Sequence, residues 1–371
     1  MITVNNTIVT KSDFVLAPYM QSSDRRAIYQ ILTTVVPYIG LWILAVQAAS
    51  ISLWLLPPVV GLMVLFLLRC FSLMHDCGHY SLFRSKRANR VVGFMLGVIN
   101  AIPQYAWSRD HAYHHKTNGD WQRYRGIGDF LSTEEFAQLS GFDQKLYSLL
   151  RQPIMTVPGG FFYLIIQPRL TLIFGICGLI KHGLTCLKSN GFRNLGSTVF
   201  SYKSKHWQTS GEFWDVLLNN GLVVSSWLIL SHLIGPGLFL GLYSTVMTLA
   251  GVIFICIFFV QHNFEGAYAR KTADWDYLSG AIEGSSYLDL PPILRWFTAD
   301  ISYHTIHHLS ERIPNYNLAA CHRANSHLLS KMTTLRFGDL LHCSKFILWD
   351  AAANQLVPIP TKEKGMVHLL K

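Results

Sequence analysis

Two long stretches without a formal charge constrain this chain more than any other feature. From Ala27 to Leu68, and again from Val216 to Phe264, there is no Asp, Glu, Lys or Arg. A helix crosses a bilayer with ~20 apolar residues, so each stretch is long enough to cross twice. Each reads as a helical hairpin. The first turns near Gln47–Ser52 and carries Pro57-Pro58 early in its second arm, where proline is best tolerated. The second turns at Gly235-Pro236-Gly237. Four spans are expected, near residues 30–48, 52–69, 214–232 and 239–259. Composition agrees, since half of the 371 residues are hydrophobic and only 14% are charged, against roughly 25% in globular proteins.

The fold class expected is all-α and integral to the membrane, with interfacial helices and a cap that carries histidines. One domain is expected over 1–371. It runs from an N-terminal segment (1–26) through a first hairpin (27–69), an interfacial region (70–212) and a second hairpin (213–261) to a polar tail (262–371). Within that tail, Ile293–His308 reads as one helix after Pro291-Pro292. Two broken apolar stretches, Val91–Trp107 and Gln152–Ile180, are expected to lie at the interface or to re-enter it. A double crossing by the second is the alternative. Under the four-span reading all 31 Lys and Arg fall on one side. Positive charge stays in the cytoplasm, so both termini are expected there. The net charge of +10 then suits anionic headgroups, and no nucleic-acid motif is present. Residues 1–26 hold no secretory signal. Seven scattered cysteines, with no C-x-x-C pair, read as reduced thiols.

Histidine is concentrated where these runs end. Three boxes occur: His75-Asp76-Cys77-Gly78-His79, His111-Ala112-Tyr113-His114-His115 and His304-Thr305-Ile306-His307-His308. Gln261-His262-Asn263 closes the second hairpin. Together these hold nine of the sixteen histidines. Residues three and four apart share a helix face, so each box gathers imidazoles on one side. Neutral imidazole is the commonest side-chain metal ligand and suits iron, zinc and copper. Nine exceed the four ligands of one tetrahedral zinc and suit two ions of higher coordination. The other seven (182, 206, 232, 322, 327, 342 and 368) form no comparable pair and read as ordinary surface or core residues.

A ligating imidazole donates its second N–H to a carboxylate or carbonyl. Asp76, Asp110, Asp129, Glu265 and Asp300 are the candidates for that role, with solvated surface acids as the plain alternative. Gly78 is placed to let a neighbouring helix approach closely, and Cys77 reads as a small packing residue. An all-nitrogen site with open positions suits iron that reacts with dioxygen. Beside lipid, its natural target is an unactivated C–H bond. There is no H-E-x-x-H to suggest a zinc hydrolase.

The chain resembles the membrane fatty acid desaturases of the integral-membrane di-iron superfamily, and among them the acyl-lipid ω-6/Δ12-like branch. The likeness rests on "HDCGHYSLF" (75–83), "HAYHHKTNGD" and "RGIGDF" (within 111–130), "FFVQHNFE" (258–265), "GSSYLDLPPILRWFTADISYHTIHHLSERIPNY" (284–316) and "LAPYMQSSDRRA" (16–27). It implies two irons held by His75, His79, His111, His114, His115, His262, His304, His307 and His308, with Asn263 near an iron-bound water. Two positions depart from the family's habit. Tyr80 and Tyr303 stand where many relatives carry further histidines.

The resemblance implies insertion of a cis double bond into a membrane-lipid acyl chain, with dioxygen and two electrons. Fatty acyl hydroxylation and carotenoid modification share the superfamily, and lipid analysis of an expressing host separates them. A metal-binding transporter or sensor would need ionisable residues inside its spans, but the two charge-free runs hold no Asp, Glu, Lys or Arg, and His232 near the turn is the one candidate besides His262. No flavin or haem module is expected from the sequence, so an external ferredoxin or cytochrome b5 is implied as the electron donor. The basic face would steer such acidic partners.

Overall fold

The computed structural model describes residues 2–4, 7–126, 128–190, 196–197 and 202–360. The end of the expected polar tail, from residue 361 and including His368, lies outside the described residues, as do 1, 5 and 6 of the N-terminal segment. Among the described residues, five helices are long and apolar enough to cross a membrane: Asp24–Ile51, Leu53–Gly78, Pro153–Ser189, Ser210–Ile234 and Pro236–Val260. The chain divides into two compact units that interleave in sequence. The first comprises Met1–Gln21, Ala112–Thr156 and Phe254–Lys371; the second comprises Ser22–His111 and Val157–Ile253.

The second unit is built on the first hairpin. Helix α1 (Asp24–Ile51) starts at Ser23, whose side chain accepts the Arg26 N–H, and so satisfies one of the orphan donors of a helix start. Ile28, Leu32, Val36, Ile39 and Ile43 recur every three or four residues and are all more than half exposed. An outward apolar stripe of that kind is stable against lipid tails rather than water. The chain reverses at Ser52, within the expected turn, and helix α2 (Leu56–Gly78) returns with proline in its first turn. Arg69 does not end this helix. It is buried, and its Nε–H donates to Thr34 Oγ1 at 3.1 Å. The helix therefore runs on to Gly78, and the first box occupies its last turn.

Helix α3 (Lys86–Ile99) and helix α4 (Gln104–Thr117) divide the Val91–Trp107 stretch on either side of Pro103. A side chain at Gly78 would meet Ser108 Oγ at 2.5 Å, so the close approach expected there is the packing of α2 against α4. The start of α4 is held by Asp215 of the Ser210–Ile234 helix, whose carboxylate accepts the N–H groups of Tyr105 and Ala106 at 2.8 and 3.4 Å. Arg109, one turn on, pairs with Glu212 from the same helix. Gly235, at φ +87, makes the turn into Pro236–Val260, a conformation glycine adopts without cost.

The Gln152–Ile180 stretch is not broken, despite its prolines and glycines. It is one continuous helix, Pro153–Ser189, with a π-turn over Phe162–Ile166. Proline inside a helix lacks an N–H and crowds the carbonyl four residues back. Pro168 does this to Leu164, and the wider turn there absorbs the mismatch.

The first unit is a mixture of short helices and short strands around two apolar clusters. One gathers Trp121, Phe130, Phe264 and Leu348; the other gathers Phe14, Ile282, Ile306 and Leu318. The expectation of an all-helical chain holds apart from strand pairs of two or three residues. In this unit Ser286–Leu288 runs parallel to Thr333–Leu335, and Leu348–Asp350 pairs with Leu131–Ser132 and Gln355–Val357. The single helix expected over Ile293–His308 is two, Pro292–Phe297 and His304–Leu309. Ala299 and Asp300 between them take left-handed φ values of 47 and 54. That reverses the chain, so Asp300 is not one helical turn before His304.

Candidate metal centre

In the first unit four imidazoles converge. His114 comes from the last turns of α4, His262 from just beyond the second hairpin, and His304 and His308 from one face of a single helical turn. One ring nitrogen of each lies within 4.8 Å of those of the others. The Nε2 atoms of His262 and His304 are 2.9 Å apart, and those of His304 and His308 are 3.1 Å apart. The His114 ring stands 4.6 Å from that of His262 and 4.9 Å from that of His308. All four are buried. His115 and His307 lie next to them, with ring centroids 4.5 Å apart, and His115 stacks on His308 at 4.2 Å.

The second unit holds the other three box histidines. His75 and His79 project from the end of α2 and His111 from α4, with ring centroids 4.6, 4.7 and 5.1 Å apart. Trp107, one turn before His111, stacks on its ring at 4.7 Å and 15°.

The quartet suits a metal ion on the chemistry of its donors. Burial pushes the His262 imidazole down to about 4, with the Gly284 hydrogen bond opposing it. His308 is driven well below its usual range by burial, then by His304, His262, His114 and His307 around it. Both are therefore neutral at physiological pH, and the neutral ring is the form that binds metal. An all-imidazole donor set fits iron, copper or zinc and disfavours calcium or magnesium. His262 is oriented through its other nitrogen, since Nδ1 lies 2.8 Å from the Gly284 carbonyl. A carbonyl accepts, so Nδ1 carries the proton and Nε2 presents its lone pair to the cluster.

The acids expected to orient histidines divide. Asp76 Oδ1 lies 3.3 Å from His75 Nδ1, both side chains being buried. Asp110 instead pairs with Arg109 and is largely exposed. Glu265 faces His342 at 3.5 Å. Asp129 is exposed, on a left-handed turn, and Asp300 is in the turn described above. Asn263 is buried and donates to the Phe346 carbonyl at 3.0 Å. Cys77 is a buried packing residue, as expected.

Sequence reasoning missed the residues that act through the backbone. Asn118 donates to the carbonyls of Gly280 and Gly284 at 2.8 and 3.0 Å, so it helps hold the oxygen that orients His262. Tyr277 donates its hydroxyl to the His308 carbonyl at 2.7 Å. Nothing in the residue pattern points to these pairs.

Helices long and apolar enough to cross a membrane here accompany buried imidazole clusters that could hold a metal ion. The family described as "Fatty acid desaturase" matches residues 50–337, and the chain belongs to that family. It is therefore an oxidoreductase of lipid metabolism. A "Fatty acid desaturase" of Bacillus subtilis (strain 168) is 30% identical over 345 residues, 92% of this chain and 88% of the relative. The "sn-2 acyl-lipid omega-3 desaturase (ferredoxin), chloroplastic" of Helianthus annuus is 27% identical over 78% of this chain and 59% of its own length. The "Acyl-lipid omega-3 desaturase (cytochrome b5), endoplasmic reticulum" of Arabidopsis thaliana is 25% identical over 78% and 68%.

Proposed function

We propose that the chain is a dioxygen-dependent di-iron desaturase that inserts a cis double bond into a membrane-lipid acyl chain, at the Δ12 or ω-6 position. The observation that carries this reading is the buried quartet of neutral imidazoles in a chain of the desaturase family. His114, His262, His304 and His308 would hold one iron, and by the family resemblance the remaining five box histidines would be ligands of the second. Bound iron supplies the oxidising power that lets dioxygen attack an unactivated C–H bond. The protein's own part is positional. The Gly284 carbonyl fixes the tautomer of His262, Asp76 does the same for His75, and burial keeps water from the ligands.

Electrons come from a separate ferredoxin or cytochrome b5. Relatives named for each support the kind of donor, and the excess of basic residues favours an acidic partner.

Expression in a host that makes oleoyl lipids but no dienes tests the reaction. A diene with its new bond at Δ12 is expected, mapped by mass spectrometry of the methyl esters. A triene made only from supplied diene would move the position to ω-3. Hydroxy acids in place of alkenes would end the desaturase reading.

Four helices cross the bilayer in this reading, with both termini and every box in the cytoplasm. The Pro153–Ser189 helix then lies along the interface, because a single crossing by it would separate His111 from His262. A reporter fused at Asn118 should signal the cytoplasm, as should one at Lys362. A signal from the opposite side at either position would overturn the topology.

A further inference from the structure

Six exposed cationic side chains gather on one edge of the second unit. Arg25 and Arg26 lie in the first turn of α1, Arg84 comes just before α3, and Lys86, Arg87 and Arg90 lie in the first turns of α3. Hydrogen bonds bring the two segments side by side. The Arg84 main-chain N–H donates to Asp24 Oδ1 at 2.9 Å, and its Nε–H donates to the Ser22 carbonyl at 3.1 Å. The Ser22 hydroxyl donates to the Ser81 carbonyl at 2.6 Å. From Ser22 to Arg109 the only acids are Asp24 and Asp76. Asp76 is buried beside His75, which leaves Asp24 as the one exposed acid of this stretch. Cations held this close repel one another, and a single exposed carboxylate does not offset them.

The neighbours of the patch say what covers it. Ile28, Tyr29 and Leu32 follow Arg26 on α1 and are each more than half exposed, as are Val91 and Met95 after Arg90 on α3. Cations followed at once by exposed apolar side chains suit a bilayer surface, with the charges among the headgroups and the apolar groups below them. An acidic protein would answer the cations and leave the apolar side chains in water. A phospholipid answers both with one molecule. Five of the six cations are arginine, whose planar guanidinium takes two oxygens of a phosphate at once.

We propose that this cationic patch binds the phosphate headgroup of an anionic membrane lipid. The inference rests on the membrane reading of α1 and is independent of the desaturase reaction. Occupancy relieves the repulsion among the six cations and holds α1 and α3 together at headgroup depth. The patch also adjoins the first box, because Tyr80 follows His79 and its hydroxyl accepts the Arg90 Nε–H at 3.2 Å.

Native mass spectrometry of the full-length protein in detergent reads the site. Phosphatidylglycerol is compared with phosphatidylcholine carrying the same acyl chains, so that contacts with the chains cancel. Phosphatidylglycerol should stay bound at concentrations where phosphatidylcholine does not. Equal retention of the two would overturn the proposal. Each Lys or Arg beside an anionic surface contributes about fivefold in affinity. Lys86→Gln combined with Arg87→Gln should therefore weaken phosphatidylglycerol roughly twenty-five-fold. The control is Lys181→Gln combined with Lys188→Gln, which removes the same charge from exposed positions of the Pro153–Ser189 helix. It should cost far less. An equal loss there would spread the attraction over the whole basic surface and overturn the site. Inorganic phosphate in large excess should not displace the lipid, and displacement would make the occupant a soluble anion instead.

Hydrogen exchange on the unaltered protein decides the point if a variant fails to fold. Phosphatidylglycerol vesicles should slow exchange over residues 22–26 and 84–90 relative to phosphatidylcholine vesicles of the same chains. No difference over those residues would overturn the site.

Discussion

His262→Ala is expected to lose bound iron and to take desaturation to background. The residue is outside the three boxes, so a count of box histidines would leave it as a bystander. Its Nε2 lies 2.9 Å from that of His304, in a buried set of four with no other donor type among its members. Removing one of four converging imidazoles leaves a cavity and three candidate ligands. Even partners one shell further out typically cost ten- to a hundredfold in metal affinity or activity when lost. A ligand should cost at least as much. Iron per chain should fall in purified His262→Ala as far as in His304→Ala. His232→Ala is the control, since His232 belongs to neither histidine cluster and sits near the end of the Ser210–Ile234 helix. Wild-type iron and product from His262→Ala would remove it from the ligand set.

His262 also shows what a sequence of this kind reveals and what it hides. The two charge-free runs announced the hairpins because a stretch of that length without a charge is at home chiefly inside a bilayer. The boxes announced the imidazole clusters because their spacing is a property of one helix face. Interruptions were harder to read. Pro158, Pro168 and neighbouring glycines suggested a broken segment, yet the Pro153–Ser189 helix takes Pro158 near its start and Pro168 just after a π-turn. Ile293–His308 carried no glycine or internal proline, yet it breaks at Ala299 and Asp300, where the fold sets the backbone and residue preference does not. The acids nearest the boxes in sequence were a poor guide to contact. Asp110 turns to Arg109, and His262 is oriented by a carbonyl that any residue type could have provided.

Gly280→Ala is expected to be as damaging as loss of a ligand, although glycine carries no chemistry. A methyl group there would fall on the Asn118 carbonyl oxygen, closer than any real contact allows, and within 3.2 Å of the Trp275 indole nitrogen. That carbonyl already accepts the Trp275 N–H at 2.9 Å. The short helix Tyr277–Ile282 and the segment after His115 thus lie backbone against backbone, locked by Asn118 bonds to Gly280 and Gly284. Backbone cannot swing aside as a long side chain can. The added methyl must push Asn118 away, and with it the end of α4 that bears His114 and His115. It also pulls on Gly284, whose carbonyl holds His262. Overpacking of this kind costs about 1–3 kcal/mol, and here the strain falls on the quartet from two sides. Gly280→Ala should therefore lower the melting temperature and the iron content together. Asn118→Ala, which removes the two hydrogen bonds but adds no bulk, should lose less of both. Gly141→Ala is the matched control, because nothing lies within 4 Å of the added carbon there. If Gly280→Ala melts and binds iron as the wild type does, the backbone contact at Asn118 is not what holds the second box in place.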